Sequence, residues 1–264
     1  MTELVYGKDG DGIATLRLNR PEVGNALSRA MRPRLREIWA DVRDDPAVRV
    51  LVVTGTGDRH FCTGADVREV AATGTTTAGA RAGDLKRDIV WSPLLNDVWK
   101  PVVCAVNGLV AGGGLHFVAD ADIVLAAPHA QFMDTHVSVG QVGAVENIGL
   151  ARRLPLGTVL RMTLMGRHFR LDADRAHTLG LVDEIVPAEE LAEAARRTAL
   201  AIAANSPSAV MASKRAIWHA AELPHLAALE HGWALARRQW THPDFAEGAA
   251  AFAERRSPRW TVTP

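Results

Sequence analysis

The chain has 264 residues, 48% of them hydrophobic, with 30 basic side chains balanced by 30 acidic ones. That length buries a core large enough to need neither disulfides nor a structural metal, and zero formal charge removes the electrostatic case for nucleic acid or a polybasic membrane surface. Two cysteines (Cys62, Cys104), no zinc-ligand spacing, no apolar run of ~20 residues and an acidic, polar start from Met1 to Lys8 disfavour a cysteine-built fold, a membrane span and a secretory leader; a cytoplasmic protein without membrane or nucleic-acid partners is expected.

In chain order, Ile13 to Leu18 alternates as a half-buried strand does. Ser28 to Asp44 predicts a helix, with a good N-cap and Met31, Leu35, Ile38 and Val42 at three- and four-residue spacing. Val50 to Val53 reads as a buried strand ending at Thr54-Gly55. Gly74 to Gly83 (GTTTAGARAG) predicts a loop, followed by a helical stripe over Asp84 to Trp99 that Pro93 interrupts. Pro101 to Val106 and Ile123 to Leu125 are two more strands. Strands alternating with helices argue for an α/β core. Past Val186 only helices are expected, over Ala188–Asn205, Ser208–Glu222, Leu226–Trp240 and Asp244–Arg256. This divides the chain into a core over 1–205, holding the active site, and a helical region over 206–264. Trp218, Trp233, Trp240 and Phe252 there suit either packing on the core or a subunit interface.

Two glycine-bearing segments follow strands, His60-Phe61-Cys62-Thr63-Gly64-Ala65-Asp66-Val67 and Asn107 to His116, the second containing Gly112-Gly113-Gly114. A triple glycine opening an apolar helix (Leu115 to Ala121) exposes main-chain N–H groups to developing negative charge. Close helix–strand packing also needs glycine, so this segment alone leaves both readings open. Neither a dinucleotide fingerprint nor a P-loop lysine is present.

Taken together, Asn19-Arg20-Pro21, Asn25-Ala26-Leu27, FCTGAD, KPVVCAVNGLVAGGG, ADIVLAAPHAQF and EGAAAFAERRSPRW resemble, in order and spacing, the crotonase (enoyl-CoA hydratase/isomerase) superfamily over Leu16 to Trp260. The resemblance implies a spiral of ββα repeats with a helical C-terminal region, homotrimers or homohexamers, and a lyase or isomerase of acyl-CoA thioesters in fatty acid metabolism. It also implies an oxyanion hole made by the N–H groups of Ala65 and Gly113. Ala26, Thr63, Asp66, Val67, Gly112, Thr135 and Val139 would line the coenzyme A and acyl channel. Coenzyme A would be part of the substrate; no cofactor and no metal are expected. Lys214 and Arg255 are candidates for its phosphates, and Trp91 for the acyl-pocket wall.

The chain departs from the family where family hydratases use two glutamates. Those positions carry His116 and His136, and the following turn reads Gln141 to Asn147. Two imidazoles can do acid–base work at neutral pH, provided one stays neutral. A carboxylate should orient His136, with Glu146 the first candidate and Asp134 the second; Glu146 reads equally well as a surface helix residue. His129 and His225 read as structural, and His60 stays undecided. Hydration, isomerisation or a lyase step by histidine proton transfer is the leading expectation. A hydrolase of thioesters or β-dicarbonyl compounds, and a non-catalytic acyl-CoA-binding protein, are the alternatives. The aspartate that the family's dehalogenases need falls at Ala144, against that branch.

Overall fold

The computed structural model describes residues 2–74 and 83–261. Its strands are β1 (Leu4–Lys8), β2 (Ile13–Leu18), β3 (Val50–Gly55), β4 (His60–Cys62), β5 (Val102–Val106), β6 (Leu109–Ala111), β7 (Ile123–Ala126), β8 (Gln131–Met133), β9 (Leu171–Asp172) and β10 (Glu184–Ile185). The α-helices are α1 (Met31–Asp44), α2 (Val67–Thr73), α3 (Leu85–Asp88), α4 (Leu115–Ala119), α5 (Val145–Leu150), α6 (Leu156–Met165), α7 (Ala173–Thr178), α8 (Leu191–Ala203), α9 (Pro207–Ala220), α10 (His225–Gln239) and α11 (Pro243–Glu254).

The strands form two sheets, in the orders β1-β2-β3-β5-β7-β10 and β4-β6-β8-β9. The pairs β3/β4, β5/β6 and β7/β8 each add one strand to each sheet, parallel to the strand before. That stepping is the ββα spiral of a crotonase fold. The larger sheet is covered on both faces, as parallel sheets generally are. Leu16, Leu51, Val53, Cys104 and Val124 face the main core. Val50, Val52, Val103 and Leu125 face α8, where Ala194, Ala195 and Ala199 allow close approach.

The strongly periodic elements lie where the sequence places them. The helix expected over Asp84 to Trp99 does not: only Leu85–Asp88 is helical, and Asp97 has a positive φ of 58°. Its apolar stripe is nevertheless buried, with Trp91 3% exposed in the main core and Trp39 Nε1 donating to Val90 O. Trp91 is therefore a core residue and not a pocket wall. Ser28 Oγ accepts the Met31 N–H at 3.2 Å, which caps the start of α1. Residues 75–82 of the expected loop lie outside the described residues. No described helix is long and apolar enough to cross a membrane.

Candidate active site

The two glycine-bearing segments meet because β4 pairs with β6. Each glycine of the triplet has its own reason. Gly114 packs so tightly on β4 that a β-carbon there would lie 2.5 Å from Cys62 O, and Gly112 has a φ of +49° that disfavours other residues. Gly113 is neither crowded nor strained, since its β-carbon would meet only Leu27 Cδ1 at 3.4 Å and then Gly64 Cα at 3.8 Å. The packing reading of the triplet holds at Gly114, and Gly113 is left with room around its backbone.

Gly113 is the second residue of the 3-10 turn Gly112–Gly114, where an N–H has no acceptor within its own turn. On the other segment, Leu27 N donates to Gly64 O and Asp66 N donates to Leu27 O. These bonds straddle Ala65 and leave its N–H out of the bridge to Leu27. A β-carbon on Gly113 would lie 3.9 Å from Ala65 N, and one on Gly64 only 3.0 Å from Gly113 N. Two main-chain donors thus stand side by side.

Beside them sit two imidazoles and two carboxylates. His116 lies in α4 and is 4% exposed. His136 follows β8, and a β-carbon on Gly112 would be 3.7 Å from its Cε1. His136 Nδ1 is 2.6 Å from Asp134 Oδ1 and 3.0 Å from Glu146 Oε1, and His116 Nε2 is 3.4 Å from Glu146 Oε2. Glu146 is 5% exposed, which overturns its reading as a surface helix residue. The order of candidates for orienting His136 is also reversed. Asp134 takes the Nδ1 hydrogen bond, while Glu146 Oε1 accepts none despite its closeness. One Nδ1 proton cannot serve two acceptors well, and the shorter contact has it.

Asp134 is fully buried and held from three sides. His136 N donates to Oδ1 at 2.9 Å and Asn147 Nδ2 donates to Oδ2 at 2.6 Å, in addition to the ring contact. Asn147 is the partner of Asp134 that the sequence did not announce: it lies 13 positions away, in another element. Gly143 lets the turn close over this bond, since a β-carbon there would lie 2.7 Å from Asn147 Nδ2 and closer still to Asp134 Oδ2.

The electrostatics separate the two histidines. Burial, reinforced by the His136 charge, drives the His116 pKa down from 6.5 to about 4. Burial also opposes protonation of His136, but the Asp134 hydrogen bond and the charges of Glu146 and Asp134 outweigh it and raise its pKa. Burial raises the Glu146 carboxyl, with His136 opposing. For Asp134 burial works upward, yet the donors from His136 and Asn147 prevail and lower it. A neutral His116 beside a more readily protonated His136 is the division that two imidazoles in one dry site require. Asp134, His136 and Glu146 also bring potential metal-ligand atoms within 4.8 Å of one another.

The channel residues fare unevenly. Ala26 is buried, Gly112 adjoins Thr135 Oγ1, and Val67 and Val139 are exposed. Thr63 Oγ1 donates to Gly24 O. The Asp66 carboxylate accepts from Arg20 Nη2 at 2.8 Å and caps α2 through Arg68 N, so its side chain is already committed within the fold. Lys214 does not fit its suggested phosphate role: it is buried, 2.7 Å from Asp122 and donating to Lys100 O. Arg255 ends α11 with a positive φ. His129 Nε2 contacts Asp58 O at 2.6 Å, a structural role.

A family model described as enoyl-CoA hydratase/isomerase matches residues 8–263, nearly the whole chain. The chain belongs to the enoyl-CoA hydratase/isomerase family. Among members of this family, it is 35% identical to an (E)-benzylidenesuccinyl-CoA hydratase of Thauera aromatica over 253 residues, covering 93% of this chain and 94% of the relative. It is 34% identical to a carnitinyl-CoA dehydratase of Proteus mirabilis, covering 92% of each. A crystal structure of an enoyl-CoA hydratase/isomerase from Mycobacterium paratuberculosis superposes with a TM-score of 0.91 at 38% identity, covering 99% of both chains. Family membership makes this chain an acyl-CoA enzyme of the hydratase/isomerase type.

Proposed function

We propose that this enzyme adds and removes water across the α,β-bond of an acyl-CoA thioester, using histidine proton transfer where family hydratases use two glutamates. The observation that carries the reading is the convergence of His116 and His136 on Glu146, beside the Ala65 and Gly113 amides. The thioester oxygen accepts from those two N–H groups, which stabilise the enolate as charge develops. His136 keeps Nδ1 on Asp134, so Nε2 is the nitrogen that gives the α-carbon its proton. The neutral His116 takes the proton of the attacking water as its oxygen bonds to the β-carbon. The proton taken by His116 passes to Glu146, 3.4 Å from its Nε2, and on to solvent, and solvent returns one to His136 Nε2, which closes the cycle.

Two relatives, the (E)-benzylidenesuccinyl-CoA hydratase and the carnitinyl-CoA dehydratase, support hydration or dehydration over isomerisation. They also favour an acyl group more elaborate than a straight chain. A mass-spectrometric turnover screen of varied 2-enoyl- and 3-hydroxyacyl-CoAs, with wild type and His136→Ala in parallel, tests the reading. A mass change of one water, lost in the variant, is expected. Release of free coenzyme A thiol would instead favour the hydrolase reading, in which the His136–Asp134 pair activates water against the thioester. Binding without any turnover would favour a non-catalytic protein.

We also propose self-association as a trimer or hexamer. Trp233, Trp240 and Phe252 remain 57%, 49% and 87% exposed on the C-terminal helices, more apolar area than scattered surface residues present. Light scattering should give a mass of three or six chains.

A further inference from the structure

We propose that Asp134, His136 and Glu146 form a binding site for a divalent transition-metal cation of the Zn2+ type, which competes with the proton on His136 Nδ1. This goes beyond the acyl-CoA reading and does not rest on it. Nδ1 lies 2.6 Å from Asp134 Oδ1 and 3.0 Å from Glu146 Oε1. Ligand atoms around a tetrahedral ion with ~2.05 Å bonds stand about 3.3 Å apart. The Glu146 contact reaches that spacing by opening about 0.3 Å and the Asp134 contact by opening about 0.7 Å, within the reach of side-chain rotation.

A second observation points to a missing ligand. Glu146 is 5% exposed, and its Oε1 accepts no hydrogen bond, although it faces Nδ1. A buried acceptor left without a hydrogen bond is costly, so an electron-pair acceptor is favoured there. The side chain is held ready, because its other oxygen stands 3.4 Å from His116 Nε2. Asp134 is likewise fixed by Asn147 Nδ2 and by His136 N. With two carboxylates and one imidazole, the three groups carry a net negative charge even when His136 is protonated. A dication that replaces the Nδ1 proton brings that sum to zero.

The donor set narrows the ion. Ca2+ and Mg2+ take oxygen ligands, whereas an imidazole nitrogen with two carboxylates suits Zn2+ or Co2+. Binding exchanges one Nδ1 proton, released to solvent, for the metal–nitrogen bond, with no redox change. Occupancy takes the Asp134–His136 hydrogen bond away.

Zn2+ titration by calorimetry on the metal-free enzyme, without substrate, tests this, with Co2+ as a visible-absorption probe. One equivalent per chain should bind, and Glu146→Gln and His136→Ala should each weaken it at least tenfold. The other close histidine pair, His219 and His231 at 3.1 Å, supplies a control: His219→Ala should leave the affinity unchanged. Zn2+ should raise the melting temperature of wild type but not of Glu146→Gln, a near-isosteric change that reads the site without removing a ring. No binding by wild type, or an affinity unchanged from wild type in either site variant, overturns the proposal. Because no acyl-CoA is present, neither outcome bears on the hydratase reading.

Discussion

Glu146 Oε1 stands 3.0 Å from His136 Nδ1 yet accepts no hydrogen bond, because Asp134 holds that proton at 2.6 Å. Its contribution to His136 is therefore charge rather than orientation. If the imidazolium is the acid, activity is full below the His136 pKa, which lies above 6.5, and falls as pH rises through it. Glu146→Gln removes one of the charges that raise this pKa, so the alkaline limb of kcat/KM should move to lower pH. A limb that stays in place would place the titrating group elsewhere.

Asp134→Asn should lower kcat by about 10²–10⁴-fold with little change in KM, because a misplaced tautomer spoils proton transfer without touching substrate binding. The amide also presents a donor to either His136 N–H or Asn147 Nδ2, both of which already donate to the carboxylate. Steady-state kinetics on the purified variant would show the split.

Gly64→Ala probes the paired amides. Gly64 has a φ of +85°, and an added β-carbon would lie 2.9 Å from Ala111 O and 3.0 Å from Gly113 N. The two segments must separate, and a loss of about 10²–10³ in kcat/KM is expected, the cost of one oxyanion donor. Circular dichroism distinguishes this from unfolding.

Stability should depend on His116 without any substrate. Its folded pKa of about 4 lies below 6.5, so the unfolded chain binds the extra proton between those values. The stabilisation is present above pH 6.5 and is lost as pH falls toward 4, on the order of 3 kcal/mol in all. Denaturant melts at pH 7 and pH 5 should differ less for His116→Gln than for wild type.

In the larger sheet β2 was legible from its alternation and β3 and β5 as β-branched runs stopped by glycine or Asn-Gly, while β1 and the two-residue β10 were not; α1 was legible because its apolar spacing is regular. The short strands β4, β6 and β8 carry only three residues each, too few for any period to show. Asp84 to Trp99 has a helical stripe, but Pro93 removes a backbone donor and the segment turns irregular while still burying Trp91. At the site, the histidine substitutions stood out against the family pattern, and Glu146 could be nominated from its nearness in sequence. That Asp134 would win the hydrogen bond, and that Asn147 would hold Asp134, depended on how the turn at Gly143 closes. No residue spacing encodes that closure. Lys214 shows the reverse error: a basic helix residue looked available for phosphate, and the fold spends it on Asp122.

The central proposal for His136 is that it moves a proton at the carbon next to the thioester. The most direct measurement is deuterium uptake at that carbon, followed by mass spectrometry as the enzyme turns over an acyl-CoA from the screen in heavy water. Wild type should place one deuterium there with each addition of water, and His136→Ala should slow that uptake at least a hundredfold while still binding the thioester. Uptake at an undiminished rate in the variant would contradict the assignment of the proton to this imidazole.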